Sequence, residues 1–185
     1  MRPQVEKLRQ LMKERKIDAF FSTEPLIRRY LSGFTGSTGY AVVSQDRLEF
    51  ATDFRYFEQV GQECPDYQLV KLSKDYGIAD LIHDRGYRRI ALEETFLPLR
   101  TYDQIRRQLP ELDIVYGFDL VNSIRMIKFP HEVELHRKSC QITNEIVAAF
   151  FEYVRPGMTE IQLNDFILGA VRRFGADDCF FDPIT

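Results

Sequence analysis

Cysteine and histidine are scarce in this chain, with three of each among 185 residues. Cys64, Cys140 and Cys179 are odd in number, widely spaced and without a Cys-x-x-Cys pair, which excludes a disulfide framework and a zinc knuckle. They read as reduced, mostly buried thiols. The histidines exclude more than they offer. His131 and His136, in His131-Glu132-Val133-Glu134-Leu135-His136, are five residues apart, whereas a zincin helix sets its pair four apart on one face. At about 100° per residue, five steps carry the second imidazole roughly 140° around the axis, so the two do not converge. Glu132 and Glu134 suit the positive end of a helix as surface residues. His83 has no companion, and no Ser-His-Asp constellation can be assigned.

A surplus of basic charge is missing too. Lys and Arg number 25 against 28 Asp and Glu, a formal net charge of −3, so no excess is available to neutralise a phosphate backbone or an anionic membrane. Met1-Arg2-Pro3-Gln4 leads into a charged helix rather than a signal-peptide core, and no apolar run approaches the roughly 20 residues that span a bilayer. The expectation is a cytoplasmic chain with neither nucleic acid nor membrane as partner. Gly33-Phe34-Thr35-Gly36-Ser37-Thr38-Gly39 lacks both nucleotide-loop signatures and precedes a strand, where a phosphate loop would follow one.

What the chain does hold is 44% hydrophobic residues, enough to bury a core in one domain or one and a fraction. Val5, Leu8, Leu11 and Met12 at helical spacing predict a surface helix over 3–16. Ile17 to Phe21 reads as a strand. Ser22 or Thr23 can cap a short helix through Leu26, Ile27, Tyr30 and Leu31, with Pro25 in its first turn and Gly33 at its end. Strands over 40–44 and 48–51 flank the turn Gln45-Asp46-Arg47 and predict a hairpin. Asp53 can cap a helix carrying Phe54, Phe57 and Val60. Further strands over 67–72, 89–92 and 113–116 alternate with helices over 76–85 and 99–109, the pattern of an α/β sheet covered on both faces.

The periodicity changes across Ile124 to Leu135. Pro130 biases Phe129 toward extended backbone and suits the first turn of a new helix. From Pro130 to Val154 the apolar stripe through Val133, Ile142, Ile146, Phe150 and Phe151 is built to be covered. Arg155-Pro156-Gly157 ends it, and Thr159 with Gln162 has the spacing of a capping box opening a second helix. Cys179-Phe180-Phe181 reads as the start of a strand. A helical hairpin and a bare strand cannot bury Phe150, Phe151, Phe166, Phe180 and Phe181, each of which forfeits roughly 1.5–3 kcal/mol if left wet. The expectation is a fragment of a longer protein, or assembly through this surface.

Three glycines in seven residues mark a structural turn, or a recognition loop on which Phe34, Thr35, Ser37 and Thr38 offer an aromatic face and hydroxyls. Asp53-Phe54-Arg55-Tyr56 reads by itself as a cap and an ordinary helix turn. Taken together, Tyr30-Leu31-Ser32-Gly33-Phe34-Thr35-Gly36-Ser37, Thr52-Asp53-Phe54-Arg55-Tyr56, Ile124-Arg125-Met126-Ile127-Lys128 with Glu132, and Arg155-Pro156-Gly157-Met158-Thr159-Glu160 resemble the creatinase/prolidase/Xaa-Pro aminopeptidase family. The four motifs follow one another in the expected order over essentially the whole chain.

The resemblance implies a first domain over residues 1–123, an α/β fold with a mixed sheet flanked by helices of the ribonuclease-H-like type. It implies that 124–185 is a linker and the incomplete start of a "pita-bread" catalytic domain. In the family's peptidases two Asp, one His and two Glu hold two divalent metal ions (Mn, Co or Zn), and those ligands lie beyond Thr185. The chain is therefore expected to carry no catalytic residue and no metal site, and to be inactive alone. The family also implies a homodimer, proline-containing peptides as substrates of the full-length enzyme, and a role for Phe34, Thr35, Ser37, Arg55 and Tyr56 in gating substrate or contacting the partner subunit. An inactive peptidase-like binding module and the metal-independent creatinase branch are the alternatives. Ala91-Leu92-Glu93, where the family often has Gly before the apolar-Glu pair, and Phe54, in place of a common small residue, are departures that bear on the subfamily.

Overall fold

The computed structural model describes residues 2–185, which form two compact units, one running to Ile127 and one from Lys128 to Thr185. The first comprises α1 (Pro3–Glu14), β1 (Ala19–Ser22), α2 (Pro25–Ser32), β2 (Tyr40–Ser44), β3 (Leu48–Thr52), a 3₁₀ turn (Phe54–Tyr56), α3 (Phe57–Glu63), β4 (Gln68–Lys71), α4 (Ile78–Asp84), β5 (Arg89–Leu92), α5 (Leu99–Gln108), β6 (Asp113–Tyr116) and α6 (Phe118–Met126). Ile124, at 4% exposure, is part of its core.

The six strands lie in the order β4-β3-β2-β1-β5-β6. β2 is antiparallel to β1 and β3, while β3–β4, β1–β5 and β5–β6 are parallel. β2 alone therefore runs against the other five. Alternation along the strands sends successive side chains to opposite faces. Ala19, Phe21, Val42, Ala51, Ile90 and Leu92 meet α4 and α5 through Ile78, Leu81, Ile82 and Ile105. Phe20, Val43 and Phe50, also fully buried, point the other way. On that side α1 and α2 pack on β2, and α1 packs on α6.

Local chemistry explains several boundaries. α1 stops where Lys16 takes a left-handed φ of 55° and the Ile17 N–H returns to the Met12 carbonyl at 2.9 Å. α2 is capped by Glu24, not by Ser22 or Thr23, because Pro25 occupies its first turn and Glu24 directly precedes it. The Glu24 carboxylate accepts the Ile27 N–H at 2.5 Å. One helix, α6, has no counterpart in the sequence reading.

In the second unit α7 (Pro130–Tyr153) starts at Pro130 after an extended Phe129, whose N–H is accepted by Glu132 at 2.8 Å. α8 (Glu160–Arg173) opens on the capping box, Gln162 accepting the Thr159 N–H at 2.9 Å. The helices pack on each other, with Tyr153 stacked on Phe166 at 4.2 Å. The expected strand at Cys179–Phe181 is not formed, since no other strand of this unit offers it a ladder. Of the thiols only Cys64 is buried; Cys140 is exposed and Cys179 half-buried, because both belong to the unit with little interior.

Candidate functional site

With five strands parallel and β2 reversed, the segments leaving β1, β3, β4, β5 and β6 emerge at the end of the sheet where β2 begins. Open α/β sheets present ligand-contacting loops at this end. It gathers the 33–39 loop, which enters β2, and the Asp53–Tyr56 turn, which leaves β3.

The loop begins at Gly33, which caps α2 with a φ of 88° and donates its N–H to the Arg29 carbonyl at 2.7 Å, a conformation that costs glycine little. Phe34 then turns inward. It is 1% exposed, 4.3 Å from Phe50 and 5.7 Å edge-on to Tyr56 between ring centroids. The aromatic face expected on the loop's surface is thus part of the core, because the sheet leaves room for the ring above Phe50. Gly36 is what admits it: a Cβ there would collide with the Phe34 ring and crowd Tyr56 at 3.0 Å.

Thr35 and Ser37 remain exposed. Thr35 donates its N–H and hydroxyl to Glu63 at 2.7 and 2.8 Å, and the Ser37 and Tyr56 hydroxyls pair at 2.6 Å. Thr52 donates to the Thr38 carbonyl at 2.8 Å. Beneath them lies Arg28, which donates to the carbonyls of Thr23, Gly36 and Gly39 at 3.1, 2.5 and 3.2 Å. Burial lowers its pKa from the ordinary arginine value, an effect that Glu24 and Tyr56 partly offset.

Asp53 caps the 3₁₀ turn by accepting the Arg55 N–H at 3.1 Å, and it also receives the guanidinium in two bonds of 2.9 and 2.8 Å. Hydrogen bonding from Arg55 holds the Asp53 carboxyl below the usual carboxylate range, and Asp53 in turn raises the Arg55 pKa. The guanidinium lies 5.3 Å from the centroid of the Tyr56 ring. Arg55 is therefore a neutralised, oriented donor, and an incoming carboxylate has to compete with Asp53 for it.

All five sequence-predicted residues belong to one neighbourhood, with Thr35, Ser37, Arg55 and Tyr56 on its rim and Phe34 under it. Arg28 and Glu63, which hold the rim from below and from the side, were not singled out from the sequence. The histidines stay apart in role, His83 exposed on α4 and His131 and His136 exposed on α7. Among the described residues no group of three or more His, Cys, Asp and Glu is placed to hold a metal ion, and no helix is long and apolar enough to cross a membrane.

These features define a class: a mixed α/β domain with a clamped glycine loop at one end of its sheet, continued in the chain by two amphipathic helices. The chain belongs to the creatinase and prolidase family, residues 4–127 matching the Creatinase/Prolidase N-terminal domain and residues 134–185 matching Metallopeptidase family M24. It is 30% identical over 183 residues to an uncharacterized peptidase, YqhT, of Bacillus subtilis, a match covering 98% of this chain and 52% of that protein. Among solved structures, an Xaa-Pro dipeptidase from Bacillus anthracis superposes with a TM-score of 0.86 at 28% identity, over 97% of this chain and 51% of that one. An X-Pro aminopeptidase from Thermotoga maritima gives 0.84 at 28%, over 96% and 51%. The chain spans about half the length of the relatives it matches.

Proposed function

We propose that this chain is the N-terminal part of a cytoplasmic, metal-dependent Xaa-Pro dipeptidase or aminopeptidase that works as a homodimer, its first unit gating substrate and contacting the partner subunit. The observation that carries the reading is the order of the two family matches along one chain, N-terminal domain and then M24 sequence. Solved structures named for Xaa-Pro peptidases align across nearly all of it.

A metallopeptidase family implies divalent metal in its complete members. Two adjacent dications need a convergent set of carboxylates and imidazole to hold them and to acidify a shared water. The described residues offer no such set, so no chemical step is assigned to them. Their contribution is recognition. The Thr35 hydroxyl gives its one hydrogen to Glu63, so the donors left for a peptide are the one hydroxyl hydrogen that the Ser37–Tyr56 pair does not use and the Arg55 N–H groups that Asp53 does not take, and Phe34 fixes their height above the sheet. Leu26, Phe54, Phe96, Leu99 and Tyr116, all at least half exposed, leave the same end of the sheet, which supports a subunit contact there.

The test compares the 185-residue chain with the same chain extended through its downstream reading frame, each assayed on an Xaa-Pro dipeptide with Mn²⁺, Co²⁺ or Zn²⁺. The extended protein is expected to cleave it and the short chain to be inactive. Turnover by the short chain with stoichiometric metal overturns the proposal. Within the extended protein, Arg55→Ala and Tyr56→Phe are expected to raise KM; unchanged kinetics and an unchanged dimer remove the gating role.

A further inference from the structure

Arg28 heads the fully buried side chains of the described residues in size, at 1% exposure. Its charge is permanent, yet none of its hydrogen bonds goes to a carboxylate. They go to the carbonyls of Thr23, Gly36 and Gly39, its Nε finds no partner among the described residues, and its guanidinium sits 5.5 Å from the Phe34 ring centroid. Filling space does not account for an arginine here, since apolar side chains of similar volume replace buried ions at little or no loss of stability. What a methionine could not do is hold three carbonyls at once.

Two of those carbonyls belong to the glycine loop. A trans peptide sets its C=O and the next N–H in opposite directions, so drawing the Gly36 carbonyl down onto Arg28 turns the Ser37 N–H outward and sets the direction from which its hydroxyl meets Tyr56. Glycines at 33, 36 and 39 give this stretch more conformational freedom than other residues would, so its order has to be imposed by contacts. Three neutral or peripheral contacts help: Thr35 with Glu63, Ser37 with Tyr56, and Thr38 with Thr52. The buried cation grips the two glycine carbonyls that these leave alone.

We propose that Arg28 is the positioning residue of the 33–39 loop, its guanidinium drawing the Gly36 and Gly39 carbonyls inward and so presenting Thr35, Ser37 and Tyr56 as a preformed rim. The consequence for substrate rests on the gating role given above; the consequence for the loop does not.

Nuclear magnetic resonance on the 185-residue chain separates the two. In the unaltered protein the Arg28 Nη groups are expected to rotate slowly and to be shielded from exchange; a freely rotating, rapidly exchanging guanidinium overturns the proposal without any variant. In Arg28→Met the amide order parameters of residues 36–39 are expected to fall from about 0.85 to below about 0.6 while β2 and β3 stay rigid. Thr52→Val, which removes one neutral bond, should lower them less. Methylguanidinium added to Arg28→Ala should restore the loop signals, which a loss of packing alone would not allow. A loop equally ordered in Arg28→Met overturns the proposal. A loop that loosens while the extended peptidase keeps its KM and kcat supports the positioning role and removes the gating one.

Discussion

The two units of this chain use the same kind of helix and reach opposite ends. In the first, Phe20, Phe21, Phe34 and Phe50 are all exposed by 1% or less. In the second, Phe151, Phe180 and Phe181 are exposed by 70, 88 and 68%, and α7, at 24 residues, contains no buried residue. Helix-start signals are as good in the second as in the first: Pro130 and Glu132 open α7, and a reciprocal Thr159–Gln162 box opens α8. What differs is the sheet. Six strands give α1, α2 and α4 to α6 surfaces to cover, whereas the second unit itself holds α7, α8 and no sheet. Between them and the segment after α8 lies a cleft of about 660 Å³ lined by Ile142, Ile146, Phe150, Ile167 and Phe180. Caps and periodicity specify where a helix runs; whether its apolar stripe contributes stability depends on a second surface.

The largest effect that follows comes from separating the units. Residues 2–127 alone are expected to unfold in one cooperative transition with the heat and denaturant midpoints of the parent chain, because their core is closed. Residues 128–185 alone are expected to lose tertiary order, keeping partial helix by circular dichroism and no sharp thermal transition. A cooperative melt from the shorter piece would erase the contrast between the units.

A paired substitution measures the same contrast within one residue type. Phe34→Ala removes a ring packed on Phe50 and Tyr56 and should cost about 3–5 kcal/mol of unfolding free energy by urea denaturation. Phe180→Ala, which removes an exposed ring, should stay within about 0.5 kcal/mol. Equal costs would mean that Phe180 is covered in solution.

How far this was readable beforehand follows the same line. The hairpin and the strands β5 and β6 were legible, since alternation and bounding turns report the local backbone directly, and the box at Thr159 was legible because it is a contact three residues long. α6 was not. Phe118 to Met126 runs into the motif that precedes Pro130, and only its packing on α1 shows it to be a helix of the first unit. At the site, the glycine loop announced itself, but the inward turn of Phe34 depends on Phe50, sixteen positions on, and on the missing Cβ at Gly36. Arg28 was hidden for a different reason. An arginine beside Arg29 in a short helix reads as solvated, and nothing local says that three carbonyls will converge on it. Ser37 with Tyr56 and Thr35 with Glu63 are likewise pairs that the sheet makes.

The smallest effect concerns how firmly the first unit closes its own edge. Burial alone would raise the Glu63 carboxyl, but the bonds donated by the Thr35 N–H, Gln59 and the Thr35 hydroxyl outweigh it and bring the pKa below the ordinary carboxylate value. A carboxyl depressed on folding contributes stability that is fully present above its unfolded pKa, about 4.3 for glutamate, and is lost as pH falls through the lower folded value. The tether from α3 to the loop is therefore made at pH 7 and released as pH falls below the ordinary glutamate value. Titrated by the chemical shift of the Thr35 amide, the transition should fall below pH 4.3 or so, and Glu63→Gln, which keeps an acceptor but cannot ionise, should abolish it. A midpoint at or above the ordinary glutamate value would show that Thr35 is not held in solution, and that the rim is anchored from beneath and not from its side.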